Sequence, residues 1–231
     1  MLGEIPGGNL RLYLKCENAN DSSGNGFNLT NHNTVTFTAG KFSNGANFGT
    51  TGTNKGLSYN ANILSGSNPS DVCVFISFKF LDTSNHSGTI IVISTDNTAQ
   101  TNRLQFSASY SISGGTVTLT GTIAGSPSNQ SCSITFSADT NWHFLRILII
   151  AKTINIDMDR NNNAGSAAVT TQVSTAATYF NMVGSNRGLN SPIKGMVDEV
   201  IVSESLYTGT QIRDRIKYYT HYKGLMGPQM I

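Results

Sequence analysis

Charge is what this chain has least of. Lys, Arg, Asp and Glu make up 12% of its 231 residues, about half the usual share of a soluble protein. The 15 basic residues are dispersed and the formal net charge is +2, so there is no basic stripe for a phosphate backbone to neutralise. Nucleic acid is therefore excluded as an expected partner. Long apolar runs are also missing. The longest, "FLRILIIA" from Phe144 to Ala151, contains Arg146 and falls far short of the roughly 20 residues of a membrane span, so no membrane insertion is expected. The opening "MLGEIPGGNLRLYLKC" has no basic segment followed by an apolar stretch of signal-peptide length, which leads to the expectation of a soluble protein without a Sec signal. Cysteine is limited to Cys16, Cys73 and Cys132, an odd number with no C-x-x-C spacing, and each is expected reduced and buried.

Alternation with a period of two fills the rest. "LRLYLKC", "TVTFTAG", "VCVFISFKF", "GTIIVIS", "RLQFSASYS", "GTVTLTGTI", "CSITFS", "TINIDMD" and "VDEVIVS" read as strands. In "TINIDMD", Ile154, Ile156 and Met158 point one way and Asn155, Asp157 and Asp159 the other, the pattern of a sheet with one wet face. Turn-forming stretches such as "GSNPSD", "SGG", "AGSPSN" and "RNNNAGS" separate these runs. Many strands and few helices predict an all-β protein of two packed antiparallel sheets in one domain. One helix is predicted near the C-terminus, at about Thr210 to Lys223. Thr208 and Gln211 form a capping-box pattern, Ile212, Ile216 and Tyr219 follow at helical spacing, and Gly224 stands at the stop. The domain is taken as residues 1–224, with 225–231 as a tail.

The stretch "NDSSGNGFNLT", Asn20 to Thr30, poses a chemical question. Asp21, Ser23, Asn25 and Gly26 fit the first half of a calcium loop, but the twelfth position, which should be a bidentate Glu, is His32. Such a loop cannot close a cage alone, and a plain turn is the competing reading. "GNGFNL" lacks the third glycine of a dinucleotide loop. Asp157, Asp159, Asn161 and Asn163 also alternate oxygens, as a hairpin end would. His32, His86, His143 and His221 are scattered, and no G-x-S-x-G turn exists. For sugar binding, the single Trp142 is expected in the core, leaving Phe27, Tyr59, Tyr110 and Tyr179 as loop aromatics among abundant Asn.

Six segments in order resemble a known family. "LRLYLKCENANDSSGNGFNLT" is similar to its opening strand and D-x-S-G-N loop, "AGKFSNGANF" to its G-K-F-G-x-A-x-F segment, and "FISFKF" to its F-T-I-S-x-W-x strand. "NWHFLRILI", "TINIDMDRN" and "GMVDEVIVSESLYTGTQI" resemble its W-H-x-V-A strand, its strand ending V-D-G and its closing D-E-V segment. On these residues the chain resembles the concanavalin A-like jelly rolls, in the laminin-G-like branch of bacterial and phage surface proteins. Two departures stand out: Phe78 or Lys79 replaces the family's Trp, and Arg160 and Asn161 replace the glycine.

The resemblance implies a jelly-roll sandwich and one structural calcium ion held by Asp21, Asn25 and Asp198. The family includes some glycoside hydrolases, and those on this sandwich carry an E-x-D-x-x-E strand. This chain has only Glu4, Glu17, Glu199 and Glu204, in no such pattern. The expectation is a non-catalytic adhesion module, a virion protein of capsid or tail. It would be assembled in the host cytoplasm, present in many copies, docked on other virion proteins and holding cell-surface polysaccharide weakly through a face rich in Asn, Ser and Thr. A free, extracellular lectin, a ligand-free scaffold and, more distantly, a glycoside hydrolase are the alternatives.

Overall fold

The computed structural model describes residues 9–51, 54–65, 71–94, 100–101, 104–126, 128–159, 162–163, 167–174 and 181–204. The expected helix at Thr210 to Lys223 and the tail lie outside them, and the described residues contain strands and turns but no helix. In chain order the strands are β1 (Leu10–Leu14), β2 (Thr30–His32), β3 (Thr36–Ala39), β4 (Asn44–Asn47), β5 (Gly56–Tyr59), β6 (Asp71–Phe80) and β7 (His86–Ser94). Then come β8 (Gln100–Thr101), β9 (Gln105–Ser113), β10 (Thr116–Ile123), β11 (Gly125–Ser126), β12 (Gln130–Ser137) and β13 (His143–Ile150). The series closes with β14 (Thr153–Met158), β15 (Asn162–Asn163), β16 (Ala167–Ala168), β17 (Thr171–Ser174), β18 (Asn181–Val183) and β19 (Gly195–Ser203).

Two large antiparallel sheets result. One runs β15-β14-β13-β6-β19-β4-β3, with β1 also on β19 and β16 also on β14; the other runs β12-β10-β9-β7-β18-β5-β2. A small third sheet joins β11, β17 and β8. Alternation decides which side chains meet between the large sheets. Ile154, Ile156 and Met158 of β14 are buried, as are Val72, Val74, Ile76, Phe78 and Phe80 of β6, and Phe106, Ala108, Tyr110 and Ile112 of β9. Each fully buried side chain of this size contributes roughly 1.5–3 kcal/mol relative to an exposed one. The three cysteines are buried. Burial pushes the Cys16 thiol up first, and the nearby acids Asp198 and Glu199 add to it, so it is an unreactive packing group.

Turn chemistry sets the registers. Gly114 and Gly115, both at positive φ, link β9 to β10, so that Ser113 faces Thr116. The β13–β14 hairpin turns in the same two-residue way with Ala151 and Lys152, at φ 45 and 69. Both central residues at positive φ are what the right-handed strand twist favours, although only glycine and asparagine take that conformation cheaply.

Candidate functional site

The Asn20 to Thr30 stretch is a turn organised around one carboxylate. Asp21 Oδ1 accepts the N–H groups of Tyr13 (3.0 Å) and Ser23 (2.8 Å). Its Oδ2 accepts the Ser23 hydroxyl (2.7 Å) and the Phe27 N–H (3.1 Å). Asn25 donates its amide to the carbonyls of Leu10 (2.8 Å) and Arg11 (2.9 Å), and Gly24 and Gly26 supply the left-handed backbone. The loop is thereby tied to β1. Asp198 lies on β19, the strand paired with β1, and its charge acts on the Cys16 thiol. It is fully buried beside a bulge in β19 where Glu199 has φ 55, and its Oδ2 accepts the N–H groups of Lys41 (2.7 Å) and Phe42 (3.0 Å). A side chain at Gly40 would place its Cβ 2.6 Å from that oxygen. Glycine in "AGKF" and aspartate in "VDE" thus form one lock between the β3–β4 turn and β19.

As a calcium ligand set the three residues fit poorly. Asp21 receives four donors, which fill the roughly four lone-pair sites of a carboxylate. Asn25 turns its amide nitrogen to the backbone, and Asp198 serves a different loop. Among the described residues no group of three His, Cys, Asp or Glu side chains is placed to hold a metal.

Asp157 of β14 and Asp159 just after it, which could have formed a hydrolytic pair, are both engaged. Asp157 makes an ion pair with Arg146 of β13. Asp159, itself left-handed at φ 49, accepts His143 Nδ1–H (2.7 Å) on Oδ2 and the Phe144 N–H (2.8 Å) on Oδ1. His143 is buried between Phe78 and Phe136, and its Nε2 reaches Asp139 Oδ1 at 3.0 Å. Two carboxylates on the two ring nitrogens require both nitrogens to donate, which only the imidazolium does. Burial alone would lower the His143 pKa, but the hydrogen bond and charge of Asp159, followed by Asp139, outweigh it and hold it above the ordinary value.

The sign follows. A raised folded-state pKa contributes stability that is complete below the unfolded value of about 6.5 and is lost as pH rises through the folded value. The melting temperature is expected to fall over that rise in the wild type and to fall less in His143→Gln, as read by thermal denaturation across pH. A slope shared by both proteins would remove the clamp as its source.

Trp142 corrects a sequence expectation. It is partly buried just before β13, on the outer side of the sheet, with the Lys79 ammonium over its ring, 5.3 Å from the centroid. His143 takes the inward position, so alternation along β13 turns its neighbour outward. Exposed Asn141 precedes it, and Phe144 and Phe42, 6.2 Å apart, continue the apolar patch. Of the expected loop aromatics, Tyr110 is instead a core residue, 4.7 Å from Phe80, with its hydroxyl accepting the Lys194 N–H. Phe27 and Tyr59 meet at the rim, 5.3 Å apart, with Arg11 over Phe27 at 5.8 Å. Tyr179 lies outside the described residues, as does His221.

The outer face of the second sheet is a field of hydroxyls. Register places Ser137, Thr116 and Ser113 in one row, then Thr135, Thr118 and Ser111, then Ser133, Thr120 and Ser109, then Ser131, Thr122 and Ser107. No charged side chain interrupts these rows. Thr120 and Ser133 hydrogen-bond to each other across strands at 2.8 Å.

No protein-family model matches the chain, and no curated protein matches it. Solved structures do. Domain 4 of AbnA, a GH43 extracellular arabinanase from Geobacillus stearothermophilus, determined with arabinotriose, is 17% identical with a TM-score of 0.60, over 89% of this chain and 97% of that one. The botulinum neurotoxin serotype D/C binding domain is 16% identical with a TM-score of 0.65, over 92% of this chain and 53% of its own. The binding domain of botulinum neurotoxin DC in complex with SialylT is 12% identical with a TM-score of 0.58, over 92% and 52%. The chain therefore spans about half of each of these toxin domains. At these identities the likeness shows the fold, a β-sandwich consistent with a jelly roll.

Proposed function

We propose that the chain is a non-catalytic carbohydrate-binding module of the laminin-G-like kind. The observation that carries this reading is Trp142, the one indole of the chain, presented on an outer sheet face with Lys79 and Asn141 beside it. The indole face that Lys79 does not cover would stack on the C–H surface of a pyranose or furanose ring, with the ammonium and the Asn141 carboxamide bonding its hydroxyls. Support comes from the structural neighbours determined with arabinotriose and with SialylT. The engagement of Asp157 by Arg146 and of Asp159 by His143 speaks against hydrolysis, which needs two carboxyl groups free to face a sugar.

The finer placement we propose is the surface of a virion, capsid or tail. Many copies assembled in the host cytoplasm would there turn a weak single-ring contact into avidity. A secreted lectin is the alternative location. The calcium ion that the resemblance implies would be structural only. Its proposed ligands Asp21, Asn25 and Asp198 already hold hydrogen-bonding partners, so an ion would compete with those bonds.

The test is direct binding to neutral arabino-oligosaccharides and to sialylated glycans on an array, followed by titration calorimetry. Trp142→Ala is expected to weaken the selected glycan at least about tenfold, or about 1.4 kcal/mol, with an unchanged melting temperature. Equal affinity in wild type and variant would sink the Trp142 site, and an empty array would sink the glycan reading itself.

A further inference from the structure

The crossover from β12 of one sheet to β13 of the other carries Asn141 and Trp142, and one side chain ties its two ends together. Asp139 Oδ1 accepts the Asn141 N–H at 2.7 Å and His143 Nε2–H at 3.0 Å. The buried ring therefore closes a short turn, with Asn141 exposed and Trp142 partly buried inside it. Its other nitrogen is anchored more firmly. His143 Nδ1–H donates to Asp159 Oδ2 at 2.7 Å, and Asp159 is itself pinned to β13 by the Phe144 N–H on Oδ1. Phe78 of β6 and Phe136 of β12 pack on the imidazole without bringing charge. The other charged groups at this end of the sandwich are engaged toward the outer face, Lys79 over the Trp142 ring and Arg146 with Asp157.

We propose that His143 is the positioning residue of the Trp142 site, and that its imidazolium form holds the turn closed so that Trp142 and Asn141 stand ready for a sugar. The ligand in this inference rests on the glycan reading above, whereas the closing of the turn rests on the bonds just described. Removal of one proton leaves a neutral ring with one N–H and one lone pair. The N–H stays with the shorter bond to the anchored Asp159, so the lone pair is turned on Asp139 Oδ1, and two acceptors 3.0 Å apart repel. Asp139 is partly exposed and swings to water, which frees the end of the turn. Burial lowers the pKa of this ring, and Asp159 and Asp139 overcome that and raise it, so the loosening falls above about pH 6.5. Binding is tight below that rise and weak beyond it.

Titration calorimetry with the glycan selected on the array, run from about pH 5 to about pH 9 around the ordinary histidine value, tests this. Trp142 emission is recorded alongside and needs no ligand, because the chain has a single indole. Wild-type affinity is expected to weaken at least about fivefold over the rise, the low end of ordinary coupling between sites. The emission maximum should move over the same range while circular dichroism stays constant. Asp139→Asn is the discriminating variant. Its carboxamide bonds the ring nitrogen in either protonation state, through its oxygen or its NH2, so it is expected to keep the low-pH wild-type affinity at every pH. His143→Gln is expected to bind as weakly at every pH as the wild type does at high pH. Because His143 still titrates in Asp139→Asn, an emission change that persists there would report the charge of the ring instead of an opening turn, and would overturn the proposal. Wild-type affinity flat with pH, where Trp142→Ala has lost binding, would also overturn it and leave the glycan reading standing. An empty array beside a pH-dependent emission seen only in the wild type would do the reverse, keeping the switch and removing the sugar.

Discussion

Replacing Gly184 by alanine is expected to cost about 2–5 kcal/mol of stability, among the largest effects of any single methyl group in this protein. Two penalties act at the same atom. Gly184 has φ 78, a conformation that costs an L-residue about 1–2 kcal/mol. Its missing Cβ would also lie 2.1 Å from two carbons of the Phe48 ring, and overpacking of this kind adds typically 1–3 kcal/mol. Relief by backbone movement is blocked on both sides. The Gly184 N–H donates to the Ile90 carbonyl at 2.7 Å and its own carbonyl accepts the Ile193 N–H at 2.8 Å. Urea denaturation measures the loss, and Gly184→Ala combined with Phe48→Leu should be less damaging than the sum of the two single changes, since the clash is shared. An alanine variant as stable as the wild type would show that the ring and the turn are not where they are described.

The second large effect is expected at Asp198. Truncation to alanine leaves the N–H groups of Lys41 and Phe42 without their buried acceptor, and each such loss costs about 1–3 kcal/mol, so the total is about 2–6 kcal/mol. Asp198→Asn keeps an acceptor oxygen at the same place and is expected to cost clearly less. The β3–β4 turn loosens in the alanine variant, and with it the contact of Phe42 on Phe144. Wild type and Asp198→Ala together examine calcium. With hydrogen bonds already on Asp21 and Asp198, the wild-type melting temperature is expected to be equal in excess Ca²⁺ and in chelator. A rise with Ca²⁺ that is absent in Asp198→Ala would instead establish an ion at this acid.

Much of the sandwich could be read from residue order because alternation carries its own geometry. Ile154, Ile156 and Met158 pointed to one face in the sequence and are buried together in the fold. "SGG" announced the β9–β10 turn by composition alone. The Ala151 and Lys152 turn gave no such signal, since neither residue prefers the backbone it adopts; strand pairing on both sides imposes it. Trp142 was misjudged for a related reason. Tryptophan favours burial on average, but its side of the sheet is decided by parity along β13, and His143, held by two carboxylates, takes the inward place. The partners of Asp198 were equally out of reach, because the residues it binds are 156 and 157 positions away in the chain. Resemblance linked the acid with Asp21 and Asn25, and the fold adds hydrogen bonds from Lys41 and Phe42 that the sequence did not show.

The pairing of β1 with β19 has a mechanical consequence. Leu10 lies opposite Ser203 and Leu14 opposite Val200, so the first and last described strands start and stop at the same corner. Tension applied at those two points pulls crosswise on the ladder and opens it like a zip, one rung at a time, instead of loading all rungs together in shear. Pulled at Leu10 and Ser203, the ladder would give way at β1 under modest force and uncover Leu12 and Leu14; loaded across the sheet faces, it would carry far more.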